Sequence, residues 1–367
     1  MTTEARGPGR AGVRSRRSGL PVVAVTGAAA GPGRALAARL ATSADVGRVV
    51  ALDERRGDVD GVTWRVVDVR DPGVVDRLRG VDVLVHLALE TVPDVDAAAR
   101  SSHNVRGTQT VLTASAAAGV RRVVLCTSAM VYGAAADNPV PLAEDAPLRA
   151  VPDGGLVGDL LEIEALAERA RRVHPGLAVI VVRPAVLVGP GVDSLVTRHF
   201  EAPRLLVVRG STPRWQFCHV EDLASALELA ALGSVDGPLT VGCDGWLEQA
   251  EVELISGMRR IELPESFTFG TAERLHRLGL VPAPASELHY VVHPWVIPST
   301  RLRAAGWRPT YDNATALGAL LEQLGGRHAV AARRLARKEA TLGAAGAAVA
   351  VVGSAAMVRR ARRRRTC

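Results

Sequence analysis

The stretch from Pro21 to Asp53, PVVAVTGAAAGPGRALAARLATSADVGRVVALD, constrains the fold of this chain more than any other. Val22, Val23, Ala24 and Val25 make an unbroken apolar run, the pattern of a strand covered on both faces in a parallel sheet. A Gly- and Ala-rich turn runs from Gly27 to Gly33, Arg34 to Leu40 has helical spacing, and the next apolar run, Val49 to Leu52, ends at Asp53. Strand, tight turn, helix and strand, closed by an acid near the expected distance, form a dinucleotide-binding fingerprint.

Gly27 turns the chain where a Cβ would clash, and Gly33 lets the helix lie close to the sheet. The middle position of the fingerprint holds Ala30, one methyl larger than the usual glycine, with Gly31 beside it to take up the turn. Open amides at the helix N-terminus favour a pyrophosphate. Asp53 accepts hydrogen bonds from an adenosine ribose and repels a 2'-phosphate, which favours NAD. Arg55 and Arg56 stand next to it and would answer that phosphate, so NADP stays open.

Further along, Thr63–Val67, Val83–Leu87, Val123–Thr127 and Val179–Val182 read as strands. Asp71 and Pro72 read as the cap and first turn of a helix through Leu78, Ala97–Gly119 as a long helix, and Asp159–His174 as another. Six strands with helices between them predict an α/β fold, a Rossmann-like doubly wound parallel sheet. Beyond Val188 the alternation loosens into short strands near Arg204–Arg209 and Leu239–Val241, helical patches, and a last strand over Tyr290–Ile297. The expected organisation is a basic tail (1–19), a dinucleotide-binding domain (20–188), a smaller C-terminal substrate lobe with return elements (189–325), and a basic, Ala/Gly-rich tail (326–367).

A net charge of +7 invites a nucleic-acid reading, but the charge gathers at the two ends and aromatics are only 3% of the chain, so no stacking platform for bases is expected. Cys126, Cys218, Cys243 and Cys367 lack metal-ligand spacing and fit burial in a reducing compartment. Residues 1–19 have no apolar core of a secretory signal, and a cytoplasmic head is expected. Arginine supplies 44 of the 45 basic residues, leaving Lys338 as the only lysine, so a central site has no ammonium to use.

The pieces VTGAAAGPG, ALD, DVRD, DVLVHLA, NVRGTQTVLTASAAAGVRRVV, TSAMVYG, VVRPAVLVGPG and HVEDLASAL, in that order, resemble extended short-chain dehydrogenases/reductases, specifically the NAD-dependent epimerase/dehydratase family that includes UDP-glucose 4-epimerases. The resemblance covers residues 20 to 320 and implies roles for individual positions. Asp53 would hold the adenosine ribose, Asp68 and Val69 would lie beside adenine, and Leu87 and Ala88 would border the cofactor. Asn104 would support the site from its helix, and Arg183 would begin a cofactor-side segment. Ser128 would be the hydroxyl beside the reacting carbon. His219 at the lobe boundary and Arg209, a fork for phosphate, would face a nucleotide sugar. His86 and Cys126 read as core residues. The resemblance also implies a homodimer.

The family's chemistry resides in a tyrosine and a lysine four residues later, on one face of a helix. The register of VPDGGLVGDLLEIEALAE puts Leu156 at the tyrosine position and Leu160 at the lysine position, and neither leucine can exchange a proton. No tyrosine lies between Gly133 and Gly189, which leaves Asp159, Glu162 or Glu164 as substitutes on that helix. The expectation is an NAD-binding protein with weak or absent catalysis of the family's usual kind. The alternatives are a divergent epimerase, dehydratase or reductase using Ser128 and another acid, or a scaffold. The uncharged run 340–358, flanked by arginines, is read as a contact for anionic membranes that spans, lies on the surface, or packs on a partner.

Overall fold

The computed structural model of the protein describes residues 19–278, 281 and 284–325, together with the backbone of 329–330 and 333–334. β1 (Val22–Thr26), β2 (Arg48–Asp53), β3 (Thr63–Val66), β4 (Val83–His86), β5 (Arg122–Cys126), β6 (Ala178–Pro184) and β7 (Pro238–Val241) form one seven-stranded sheet. The order is β7-β6-β5-β4-β1-β2-β3, and every pair is parallel. The chain builds outward to β3 and then returns to lay β4 on the other side of β1. That reversal opens a crevice at the carboxyl ends of β1 and β4, where ligands of such sheets bind.

The apolar runs are continuous because both faces are covered. Val23 and Val25 face a core shared with Leu36, Ala37 and Leu40 of the helix Gly31–Thr42 and Leu223 and Leu227 of the helix Val220–Leu232. Val22 and Ala24 point the other way, into a core with Val111, Leu112, Ile163 and Ala167. Each fully buried Val or Leu contributes about 1.5–3 kcal/mol, which fixes the strand register and, with it, the positions of the loops at the carboxyl edge.

Three elements depart from the sequence reading. The segment around Leu239–Val241 is not a strand of the lobe but the seventh strand of the main sheet, paired with β6. The helix expected from Asp71 is a single turn, Val74–Arg77, because Asp71 Oδ1 accepts the Gly73 N–H at 2.8 Å and tightens the entry into a turn. Tyr290–Ile297 is not a strand: His289–Val292 is helical, and an extended strap follows. Pro294 and Pro298 have no N–H to give a ladder, so the strap is held by side chains instead. Gln216 accepts the Ile297 N–H and donates to the Ile297 carbonyl, both at 2.9 Å, and Asn138 donates to Pro294.

The smaller lobe is built from short pairs, Leu205–Val208 with Arg260–Leu263 and Arg214–Trp215 with Leu247–Glu248. The helix Asn313–Leu324 packs back on the main core through Ala316, Leu317 and Leu320. Among the described residues no helix is long and apolar enough to cross a membrane, and the run 340–358 lies outside the described residues.

Candidate functional site

A cleft of about 660 Å³ opens at the switch point. At its centre Gly27 has φ +67°, and a Cβ there would fall 2.7 Å from the Leu87 carbonyl oxygen. A Cβ on Gly33 would lie 2.1 Å from the Gly27 oxygen, so only glycine lets the helix start this close to β1. Ala30 is extended, φ −153°, which any residue adopts, and the left-handed residue is Gly31 at φ +51°. The helix that begins there has no side-chain cap and no acid in its first turn, and Pro32 has no N–H, so the Gly31 and Gly33 amides are left without an intramolecular anion. From the lobe, Gly191 lies over this cradle so closely that a Cβ would fall 2.7 Å from Gly31 Cα.

Asp53 lines the cleft on the β2 side with Arg55 and Val69. Its Oδ2 accepts the Ala29 N–H at 3.0 Å, which ties the carboxylate to the glycine-rich turn. Asp68 turns away: Arg70 grips both its oxygens at 2.6–3.0 Å, and that guanidinium holds the carboxyl below the usual carboxylate range. Val69, rather than Asp68, reaches the cleft.

On the β4 side Leu87 and Ala88 border the cleft, fixed by a buried relay beneath them. Thr26 Oγ1 accepts the N–H groups of Leu87 and Ala88 at 3.0 and 3.2 Å and lies 2.8 Å from His86 Nδ1. Thr108 donates to the Asn104 carbonyl and therefore accepts from His86 Nε2 at 3.1 Å, which makes the ring the Nε2–H tautomer. Burial drives the His86 pKa down to about 3. The unfolded chain takes up a proton near pH 6.5 that the folded ring refuses, so His86 lowers stability as pH falls from 6.5 toward 3. Nitrogen NMR of the folded protein at pH 5 is expected to find a neutral His86 ring with the proton on Nε2.

Asn104 sits in a π-helical turn, Ser102–Arg106, that interrupts the long helix. It does not line the cleft. Its side chain clamps Glu90, accepting the N–H at 2.7 Å and donating to the carbonyl at 3.0 Å, and so shapes the loop after β4.

At the end of β5, Ser128 lines the cleft and its Oγ accepts the Met130 N–H at 3.2 Å. Leu156 and Leu160, one turn apart on the helix Leu156–Val173, line the same wall. Cys126 also reaches it, but burial pushes the thiol up to about 12. Of the acids on that helix, Asp159 is buried and held by Arg100 Nε at 2.8 Å and Asn104 Nδ2 at 3.2 Å, and Glu164 is buried against Arg183, while Glu162 is exposed.

Besides Asp68 and Asn104, three more residues expected in the site lie elsewhere. Arg183 directs its guanidinium away from the cleft: Nε and Nη2 bind both Glu164 oxygens and Nη1 binds the Tyr132 hydroxyl, all at 2.8 Å. His219 caps the helix Val220–Leu232 and stacks on Tyr311 at 3.8 Å. Arg209 is exposed beside Glu262 at 3.5 Å. Among the cleft residues that the sequence reading passes over are Glu90, Arg100, His103, Glu287 and Trp295. Glu287 is separated from Leu156 by 131 positions, and all that marks it is its place as the sole acid in the proline-rich stretch 281–298.

A parallel sheet with this strand order, a glycine cradle at its switch point and an acid closing β2 define a dinucleotide-binding Rossmann protein. Residues 23–238 match the NAD dependent epimerase/dehydratase family, and the chain belongs to that family. An uncharacterized protein of Mycobacterium tuberculosis is 30% identical over 311 residues, 80% of this chain and 82% of that protein. MoeE5 in complex with UDP-glucuronic acid and NAD superposes with a TM-score of 0.62 at 25% identity, covering 82% of this chain and 97% of that one. The UDP-glucose 4-epimerase of Thermus thermophilus in complex with NAD gives a TM-score of 0.64 at 21% identity, covering 83% and 99%.

Proposed function

We propose that this chain binds NAD and a nucleotide sugar in the switch-point cleft, and that it lacks the phenol–ammonium pair through which its family usually exchanges protons. The observation that carries the reading is the joint occupancy of one cleft by the glycine cradle, Asp53, Ser128, Leu156 and Leu160. The residues present fit a dinucleotide: close-approach glycines and uncapped amides suit a pyrophosphate, and the Asp53 carboxylate suits a ribose diol. Bound nicotinamide supplies a hydride acceptor or donor. At the positions where the family carries its phenol and ammonium, what this chain sets beside Ser128 is a hydrocarbon wall.

The tyrosines support the same reading. Tyr132 and Tyr290 donate their hydroxyls to the carbonyls of Glu144 and Met130, and burial pushes both phenols above their ordinary range. Tyr311 stacks on His219. Among the described residues that line the cleft there is neither a tyrosine nor a lysine.

The reading is tested with the full chain, NAD and a panel of UDP- and dTDP-sugars, following absorbance at 340 nm and product identity. Loss of one acid–base group forfeits a factor of roughly 100 to 10,000, so turnover is expected to be slow. Fast turnover matching that of a phenol–ammonium epimerase would refute it. Asp53→Asn keeps an acceptor for Ala29 N–H but drops the charge, and is expected to weaken NAD about tenfold while narrowing the gap to NADP, read by fluorescence titration of the reduced cofactors. A homodimer, and contact of residues 340–358 with anionic membranes, complete the proposal. Sedimentation and vesicle flotation of full-length and tail-truncated chains check them.

A further inference from the structure

The short turn ahead of the helix His289–Val292 carries an acid to the cleft. Glu287, in the short turn Ala285–Leu288, is only 5% exposed. Its Oε1 accepts the Leu156 N–H at 2.9 Å, at the first residue of the leucine-bearing helix. Room for the carboxylate comes from Gly155, where a Cβ would lie 2.5 Å from that oxygen. Oε2 has no hydrogen-bond partner among the described residues, and Glu287 lines the cleft with Ser128, Leu156 and Leu160.

Sheet order assigns this end of the cleft. The adenosine side is marked by Asp53 on β2, and Ser128 follows β5, which lies beyond β4 on the opposite side of β1. A dinucleotide whose pyrophosphate rested on the β1 turn would therefore have Ser128 and Glu287 at its nicotinamide end. Glu90 also lines the cleft, but it is less deeply buried, and its Oε1 turns back to accept the Val92 N–H at 2.8 Å.

We propose that Glu287, delivered by the turn Ala285–Leu288 rather than by the helix Leu156–Val173, is the proton-exchanging group at the nicotinamide end of this cleft. The proposal rests on the NAD reading above. The step it serves is oxidation of a secondary sugar alcohol. The hydroxyl proton passes to Glu287 Oε2, the carbon-bound hydrogen leaves with its electron pair to oxidised nicotinamide, and a ketone remains; the reverse step returns both.

The surroundings suit that work. Burial pushes Glu287 up to about 7, and the carboxylates of Asp153 and Asp159 push the same way. The Leu156 N–H and the Arg100 guanidinium oppose them. Tyr290, on the adjoining helix, stays a neutral phenol. An acid poised near neutrality both accepts and returns a proton at working pH.

The test is calorimetric titration of the full chain with NAD and, separately, NADH from pH 5.5 to 8.5, for the wild type and Glu287→Gln. Oxidised nicotinamide is cationic and reduced nicotinamide is neutral, so their affinity ratio isolates charge at that end of the cleft. An ionised Glu287 favours the cation, and the wild-type preference for NAD over NADH is expected to rise about tenfold as pH passes 7, the effect of a one-unit pKa shift. Glu287→Gln is expected to show no such rise and to lose sugar-dependent NADH formation by a factor of roughly 100 or more. A flat wild-type ratio, or the same rise in Glu287→Gln, overturns the assignment of Glu287 while leaving the NAD reading intact. Absence of dinucleotide binding overturns both.

Discussion

Gly33→Ala is expected to abolish dinucleotide binding and to cost the fold on the order of 3 kcal/mol. The added methyl would lie 2.1 Å from the Gly27 carbonyl oxygen and 3.2 Å from the Ala28 nitrogen, both backbone atoms that no rotamer change can move. Relief requires the helix Gly31–Thr42 to slide off β1, and the helix carries the open amides with it. It also carries Leu36 and Leu40, which are 0% and 1% exposed in the core, so the displacement is felt as lost packing. Gly176→Ala, where no atom approaches within 4 Å, serves as the neutral control. Urea unfolding and NAD titration of the two variants check both halves of the prediction.

The second large effect concerns Arg183. Its guanidinium is buried, and its partners are Glu164 through two parallel hydrogen bonds and Tyr132 through one. Glu164 also accepts from the Thr127 hydroxyl at 2.8 Å, so one carboxylate joins β5, β6 and the helix Leu156–Val173. Glu164→Ala leaves a buried cation without its counter-charge, and a loss of about 3–5 kcal/mol is expected. Replacing both members with apolar residues, Arg183→Met with Glu164→Leu, should recover most of that loss. NAD affinity of whichever variants remain folded is expected to match the wild type, measured by the same titrations. A cofactor contact by Arg183 would instead weaken NAD in the double variant.

The fold was legible because its signals are local. A buried strand, a glycine turn and an amphipathic helix each announce themselves within a dozen residues, and Val22–Asp53 holds all three. Gly31 at φ +51° beside Ala30 is likewise visible as a spare glycine next to a filled one. Residues whose roles depend on side-chain partners were harder to place. Asp68 just after β3 and Arg183 near the end of β6 each stand where a cofactor contact would fall, yet each is engaged by a charge, from Arg70 two residues on and from Glu164 nineteen residues back. No periodicity distinguishes a paired charge from a free one. Glu287 was the least visible, since its partner Leu156 lies 131 positions upstream, and the strap beyond it is held by Gln216 and Asn138, side chains likewise distant in sequence. The proline-interrupted run 290–298 looks like a strand until those partners are known.

Equilibrium titration of the full chain with NAD and with NADP at pH 7.5 shows most directly whether the switch-point cleft holds NAD. Saturable binding of one NAD per chain is predicted, tighter than NADP by about tenfold as the Asp53 carboxylate faces the 2'-phosphate. No saturable binding of either dinucleotide, or a clear preference for NADP, would contradict it.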